Sequence, residues 1–163
     1  MGLIAGVMMI NETILDSPIA LNNVGLISKL YKIEESGQFK RINIDKIWDV
    51  LHCFLTVTSA SQPIEGNKLS DAVVGVHHFN ITDHNADFIT CAENDELLEI
   101  IAVEKRGSIF DIQVLKKKQA YPSGIWEDDK MQLVKEIKHA LNNILNFYKN
   151  AFKTRHHVMI SIL

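Results

Sequence analysis

The sequence predicts an α+β fold: a single compact domain spanning residues 1–163, in which a small mixed β-sheet including both chain termini is flanked by several α-helices. Three observations predict it. Leu3 to Ile10 and His157 to Leu163 are both apolar and strand-like, so the two ends of the sequence belong side by side in one sheet. A long amphipathic helix, from about Asp128 to Lys153, stands just before the second of these strands. Between them, patches with helical spacing alternate with short apolar runs, and no repeat, low-complexity tract or linker divides the chain.

Leu3 to Ile10 is a nearly continuous apolar run ended by Asn11-Glu12, the pattern of a central strand covered on both faces. Ile14, Leu15, Ile19, Leu26, Ile27 and Leu30 fall into two helical patches separated by Ser17-Pro18 and Asn22-Asn23, and Glu34 to Lys40 reads as a polar loop around Gly37. A helix is predicted from Ile44, with Ile47, Trp48, Leu51, Phe54 and Leu55 on one face and Asn43 or Asp45 as its cap. Thr56 to Lys68, with Pro63 and Gly66, cannot continue that helix and becomes an ordered surface loop. A short helix then runs from Leu69 or Ser70 to Val74 and is closed by Gly75. Val76 to Ile81 and Ala86 to Ala92 read as strands. Glu93 to Glu96 places negative charge at the start of a helix ending before Gly107, another helix covers Ile109 to Gln119, and Tyr121-Pro122-Ser123-Gly124 is a turn. In the long helix Val134, Ile137, Leu141, Ile144, Leu145, Tyr148 and Phe152 form the apolar stripe.

At 47% hydrophobic and 23% charged residues, the chain can bury one sizeable core, which excludes disordered and collagen-like classes. A net charge of -3 without a basic stripe speaks against nucleic acid, and Lys116-Lys117-Lys118 reads as a solvated helix end. Cys53 and Cys91 match no metal or redox spacing and read as reduced core thiols of a cytoplasmic protein. Met1 to Ile10 lacks the features of an export signal and is too short to span a bilayer, while Gly6 stands where myristoylation after Gly2 needs Ser or Thr, so no membrane attachment is expected. Asn11-Glu12-Thr13 and Asn80-Ile81-Thr82 match glycosylation acceptors, which carry no meaning in a chain that is not exported.

Asp45, Asp49, His52 and Thr56 fall at steps of four, three and four and so share one stripe of the predicted helix. Acids near a helix start and a histidine near its end complement the dipole, but the same set can do acid–base chemistry, hold a metal or meet a partner. Thr56, Thr58, Ser59 and Ser61 offer hydroxyls just beyond the helix, where Ser59 is the candidate nucleophile for His52, without a nucleophile elbow around it. His77, His78, His84, Asp83 and Asp87 are the sequence-local metal candidates, yet their spacing fits no zinc or calcium pattern, so no metal and no cofactor are expected. His156 and His157 point to opposite faces of a strand and read as surface histidines. Trp48, Tyr121 and Trp126 finish a core at element ends.

Asp45-Lys46, Trp48-Asp49, Leu51-His52, Leu55-Thr56 and Thr58-Ser59-Ala60, followed by Leu69-Ser70, Ala72-Val73, Gly75 and His77, resemble the pattern of the YfbM-like family of small bacterial proteins, a domain of unknown function. The Met1-Gly2 apolar start, the helix opening at Glu93, the Tyr121-Pro122 turn and the closing strand extend the likeness nearly end to end. The resemblance implies a compact α+β domain of the bacterial cytoplasm and brings no activity with it. Where the family pattern has glycine between the two threonines, this chain has Val57, so either the helix ends differently here or a β-branched residue is held in a costly left-handed turn.

The functional expectation is a protein-binding accessory module of regulatory or immunity type that meets its partner through Asp45, Asp49, His52, Thr56, Thr58, Ser59 and His77. One alternative is a small hydrolase or transferase in which Asp49 orients His52 as general base toward a hydroxyl or water near Ser59. The other is a purely structural or oligomer-forming domain.

Overall fold

The computed structural model describes residues 2–16, 21–83, 85–105 and 111–163. The first apolar run becomes an inner strand: β1, Ala5–Ile10, is buried at every residue. Alternation along it serves two cores, with Ala5, Val7 and Met9 on one face and Met8 and Ile10 on the other. The chain then forms α1 (Glu12–Asp16), α2 (Asn23–Ser36), β2 (Arg41–Asp45), α3 (Trp48–Thr56) and α4 (Lys68–Val74). It continues through β3 (His77–His78), β4 (Phe88–Ala92), α5 (Asn94–Ile101), α6 (Ile112–Lys117), α7 (Lys130–Lys153) and β5 (His157–Ile162). Short 3-10 turns cover Ala102–Lys105 and Ile125–Glu127.

The five strands lie in the order β2-β1-β5-β4-β3. β1 and β5 pair along their whole length, from Ala5 opposite Ile162 to Ile10 opposite His157, which puts the two ends of the sequence side by side as expected. The sheet is not mixed, however, because every pair is antiparallel. The continuous apolar run of β1 reflects helices on both faces of the sheet, and that burial does not require parallel neighbours. One face carries α3 to α7 through Val50, Leu51, Leu97, Leu115, Leu133 and Tyr148. The other is covered by α1 and α2 through Leu15, Leu26, Leu30 and Ile33. Cys53 belongs to the first core and Cys91 to the second, so the two free thiols are on opposite sides of the sheet.

Local chemistry accounts for the element ends. Asn22 caps α2 by accepting from Gly25 N, and α2 runs on through Glu34 and Glu35 of the expected loop until Gly37, in the left-handed region at φ 63, stops it. α5 begins with a reciprocal capping box between Glu93 and Glu96. The main correction concerns Arg41 to Ile47. Ile44 does not open a helix: it belongs to β2, and α3 starts only at Trp48, so neither Asn43 nor Asp45 caps it. Arg41-Ile42-Asn43-Ile44-Asp45 alternates with period two, and pairing with β1 prevails over the helical spacing that the same isoleucines share with Ile47 and Trp48. The other strands are shorter than expected, β3 covering only His77 and His78, and α6 begins at Ile112 with Asp111 as its cap. The expected features at Ser17-Pro18, Ile19, His84, Gly107 and Ile109 lie outside the described residues.

On α7 the buried stripe is Leu133, Ile137, Ala140, Ile144, Leu145, Phe147, Tyr148 and Ala151, rotated slightly from the one the largest apolar residues outline. Val134, Leu141 and Phe152 are half-buried at its margin.

Candidate functional site

Asp49, in the first turn of α3, is buried, and its carboxylate is fully engaged by backbone and loop. One oxygen accepts from Ala60 N at 2.6 Å and from Ser59 Oγ at 3.0 Å, and the other accepts from Tyr121 N at 2.7 Å. A single side chain thus ties α3 both to the loop that follows it and to the cis Tyr121–Pro122 turn. Trp48 closes the same corner, stacking on Tyr121 at 5.7 Å and donating from Nε1 to Leu3 O.

One turn further on, His52 is 0% exposed. Its Nδ1 lies 2.7 Å from Thr58 O, and a carbonyl only accepts, so Nδ1 carries the proton. Nε2 then accepts from Ser70 Oγ at 2.7 Å, and that oxygen in turn accepts from Ile64 N at 3.0 Å. Burial pulls the His52 pKa below its ordinary 6.5, against the opposing pull of the Thr58 carbonyl and the Asp49 charge, so the ring is neutral at pH 7. Thr56 Oγ1 donates to His52 O at 2.8 Å and accepts from Thr58 N at 3.2 Å. Val57 sits between these threonines at φ 61, ψ 20, so the helix ends in a left-handed residue despite the β-branched side chain.

The structure therefore brings Asp49, His52, Thr56, Thr58 and Ser59 into one knot, but not as an acid–base array. Ser59 bonds Asp49 instead of His52, and both polar atoms of the imidazole are spent on holding the loop. Asp45 is not part of the stripe, since it ends β2, exposed, at φ 49. His77 pairs with Glu96 of α5 at 2.8 Å, while His78 stands edge-on to Phe88 and is pushed to a lowered pKa by burial. Asp87 accepts from Asn23 Nδ2, and Asp83 bonds Asn85 N within its own turn. Among the described residues no group of three or more His, Cys, Asp and Glu is arranged to hold a metal ion. His156 bonds Thr154 Oγ1, and His157 meets Glu12.

A second region is open where the knot is closed. Between β2 and α7 runs a groove made of three adjoining hollows of about 660, 530 and 170 Å³, the first two sharing Asn43 and Asn143 and the last two sharing Asn150. Its helical wall is a polar stripe that the sequence reading passed over: Gln132, Glu136, His139, Asn143, Asn146 and Asn150, all exposed and all lining the hollows. Their steps of four, three, four, three and four keep them on one line beside the buried stripe, for about 27 Å at the helical rise. Gln132 donates to Glu136 and Asn143 bonds His139, so the wall is already partly ordered. The opposite wall is an edge strand, since β2 ends the strand order. Ile44, Ile47, Pro122, Ile125 and Ala140 give one end of the groove an apolar floor.

Comparison with known proteins follows the same outline. A family model described as "Domain of unknown function (DUF1877)" matches residues 1–161. The chain is 29% identical to "Protein YfbM" of Escherichia coli (strain K12) over 131 residues, covering 76% of this chain and 77% of that one. The crystal structure of YfbM from Escherichia coli, described as a protein of unknown function, superimposes with a TM-score of 0.77 at 25% identity, covering 98% of this chain and 99% of the other.

Proposed function

This chain belongs to the DUF1877 family, a domain of unknown function, and from that premise we propose that it is a protein-binding accessory module that takes a polypeptide segment into the groove between β2 and α7. The observation that carries this reading is the unbroken line of six exposed polar side chains along α7 facing an edge strand. A long amphipathic helix normally spends its polar face on water, and charged residues serve that purpose best. Here four of the six are amides, which offer both donors and acceptors without fixed charge and suit the neutral main chain of another protein. The apolar floor at one end supplies the burial that hydrogen bonds alone do not.

The reading moves the binding surface away from Asp49, His52, Thr56, Thr58 and Ser59, whose hydrogen bonds are already used to hold the loop, and away from His77. It keeps Asp45, which lines the groove. The general-base alternative has less support, because a fully buried, neutral His52 bonded to Thr58 and Ser70 has no face left for a substrate. We place the module in the bacterial cytoplasm. Two free, buried thiols on opposite faces of the sheet suit a reducing compartment, and no described helix is long and apolar enough to cross a membrane.

Panning a phage-displayed random heptapeptide library on the purified protein, followed by amide-shift mapping of the enriched peptides, tests this. Shifts concentrated on residues 41–47 and 132–150 are expected. Enriched peptides whose shifts fall on the Val57 to Asn67 loop would overturn the groove as the binding surface.

A further inference from the structure

We propose that the segment bound in this groove is added to the sheet as a sixth strand, hydrogen-bonded to the outer edge of β2 at Arg41 and Asn43, with one apolar side chain seated over Ile44, Ile47 and Pro122. The inference rests on the peptide-binding reading above and specifies its mode. Met9 N donates to Lys40 O, and Val7 stands opposite Ile42, so in antiparallel alternation the main-chain groups of Lys40 and Ile42 face β1. Those of Arg41 and Asn43 face outward, into the groove that Asn43 lines. Beyond Asn43 the register slips, Gly6 pairing with Asn43 but Ala5 with Asp45, so Ile44 is bulged and the added strand ends its pairing there. The bulge turns the chain toward the apolar end of the groove, which is where a strand-borne side chain would arrive.

Charge identifies the occupant. The first hollow has Lys46 and Lys135 balanced by Asp45 and Glu136, the second is walled by Asn43, Asn143, Asn146 and Asn150, and the third adds one lysine, Lys40. A phosphate-bearing ligand needs clustered cations, whereas the one lysine in excess, Lys40, lines the third hollow and neither of the other two. An extended polypeptide is neutral and presents donors and acceptors to both sides, one side to the β2 edge and the other toward the α7 amides. Dimensions agree, because about 27 Å of groove takes about eight residues of extended chain. The opposite sheet edge does not offer the same template, since β3 has only two residues. The occupant is therefore a segment of a different protein in extended form, recognised mainly through its main chain and at one apolar position.

The experiment uses peptides enriched from the heptapeptide library and titrated calorimetrically against the full chain. Two variants are compared: Asn43→Pro, which removes the outward N–H, and Asn43→Ala, which keeps it. An outward N–H is the position at which an edge strand accepts proline, so both variants keep a cooperative melting transition. Asn43→Pro is expected to weaken binding about tenfold or more and Asn43→Ala less than about threefold. N-methylation of the peptide amides that face Arg41 and Asn43 is expected to weaken binding more than methylation of the alternate amides, which face the adaptable α7 side chains. Peptides that map to the groove yet are insensitive to Asn43→Pro and to alternate methylation would overturn strand addition while leaving the binding reading in place. Failure to enrich any groove-binding peptide would overturn both. A wild-type dimer in light scattering that becomes monomeric in Asn43→Pro would show that a second copy takes the edge, which also overturns the proposal.

Discussion

The knot around Asp49 and His52 and the groove along α7 are built from the same kinds of residue, and their environments give them opposite tasks. In the knot, buried polar atoms each have a protein partner: a carboxylate accepts from Ser59, Ala60 and Tyr121, and an imidazole bridges Thr58 and Ser70. In the groove, six exposed polar side chains line open space, with Gln132 bonded to Glu136 and Asn143 to His139. The first arrangement is costly to disturb, because any group left behind is both buried and unpaired. The second costs the fold little to change, so its chemistry is free to serve something outside the chain. Chemically attractive clusters are thus poor guides to a site until their hydrogen bonds are counted.

That difference can be tested by substitution. Asp49→Ala should have the largest effect, about 4 kcal/mol of stability lost in urea denaturation, since it strands Ala60 N and Tyr121 N together and removes a partner of Ser59 Oγ. A loss below about 1 kcal/mol would mean that water replaces the carboxylate and the knot is not closed. His52→Ala should cost about 2 to 3 kcal/mol, from a cavity plus the orphaned Ser70 and Thr58 groups. His52 also predicts a pH dependence. Its pKa is lowered on folding, so below 6.5 the unfolded chain takes up the proton first, and stability falls as the pH drops from 6.5 toward the folded pKa. His78 is shifted in the same direction and contributes the same sign, so the His52 part is the slope that disappears in His52→Gln. An unchanged slope in that variant would remove His52 as its source.

Val57→Gly should raise stability by about 0.5 to 1 kcal/mol, because relief of a left-handed β-branched residue outweighs the added freedom of the unfolded chain. The side chain is 54% exposed, so little packing is lost with it. A lower melting temperature would show that Val57 makes contacts worth more than its backbone strain. The smallest effect belongs to the other region: Asn143→Ala and Asn146→Ala should each change stability by less than about 0.5 kcal/mol. A marked destabilisation from either would make the stripe part of the fold and break the contrast between the two regions.

Much of the fold was legible because burial writes itself into spacing. The paired terminal strands, the helix ending near Lys153 and the loop after Thr56 all follow from where apolar residues recur or stop. Ile44 shows where that logic fails. Its neighbours satisfy both a period of two with Ile42 and a helical spacing with Ile47 and Trp48, and only the partner strand β1, remote in sequence, decides between them. Asp45 consequently has helical spacing to Asp49 without entering the helix. The knot itself was half-legible: hydroxyls after a helix ordinarily bond local backbone, as Thr56 does, but Ser70 and the Tyr121 amide come from elsewhere in the chain and carry no local signal. The α7 stripe has a signal, the same spacing as the apolar stripe one residue on, but exposed amides on a helix ordinarily mean only solvent. At Val57 the departure from the family's glycine left two outcomes open, a different helix end or a left-handed β-branched residue, and the backbone takes the second.

The position of β5 has a consequence for how the protein comes into being. It is the last strand in chain order and the middle one in space, with β1 and β2 on one side and β4 and β3 on the other. During synthesis, the earlier strands must wait as two separate halves, each with an open apolar rim, until the ribosome delivers residues 157–162 to join them. The sheet therefore cannot close before that segment is made, and a chain lacking it would hold β1–β2 and β4–β3 as two unjoined halves.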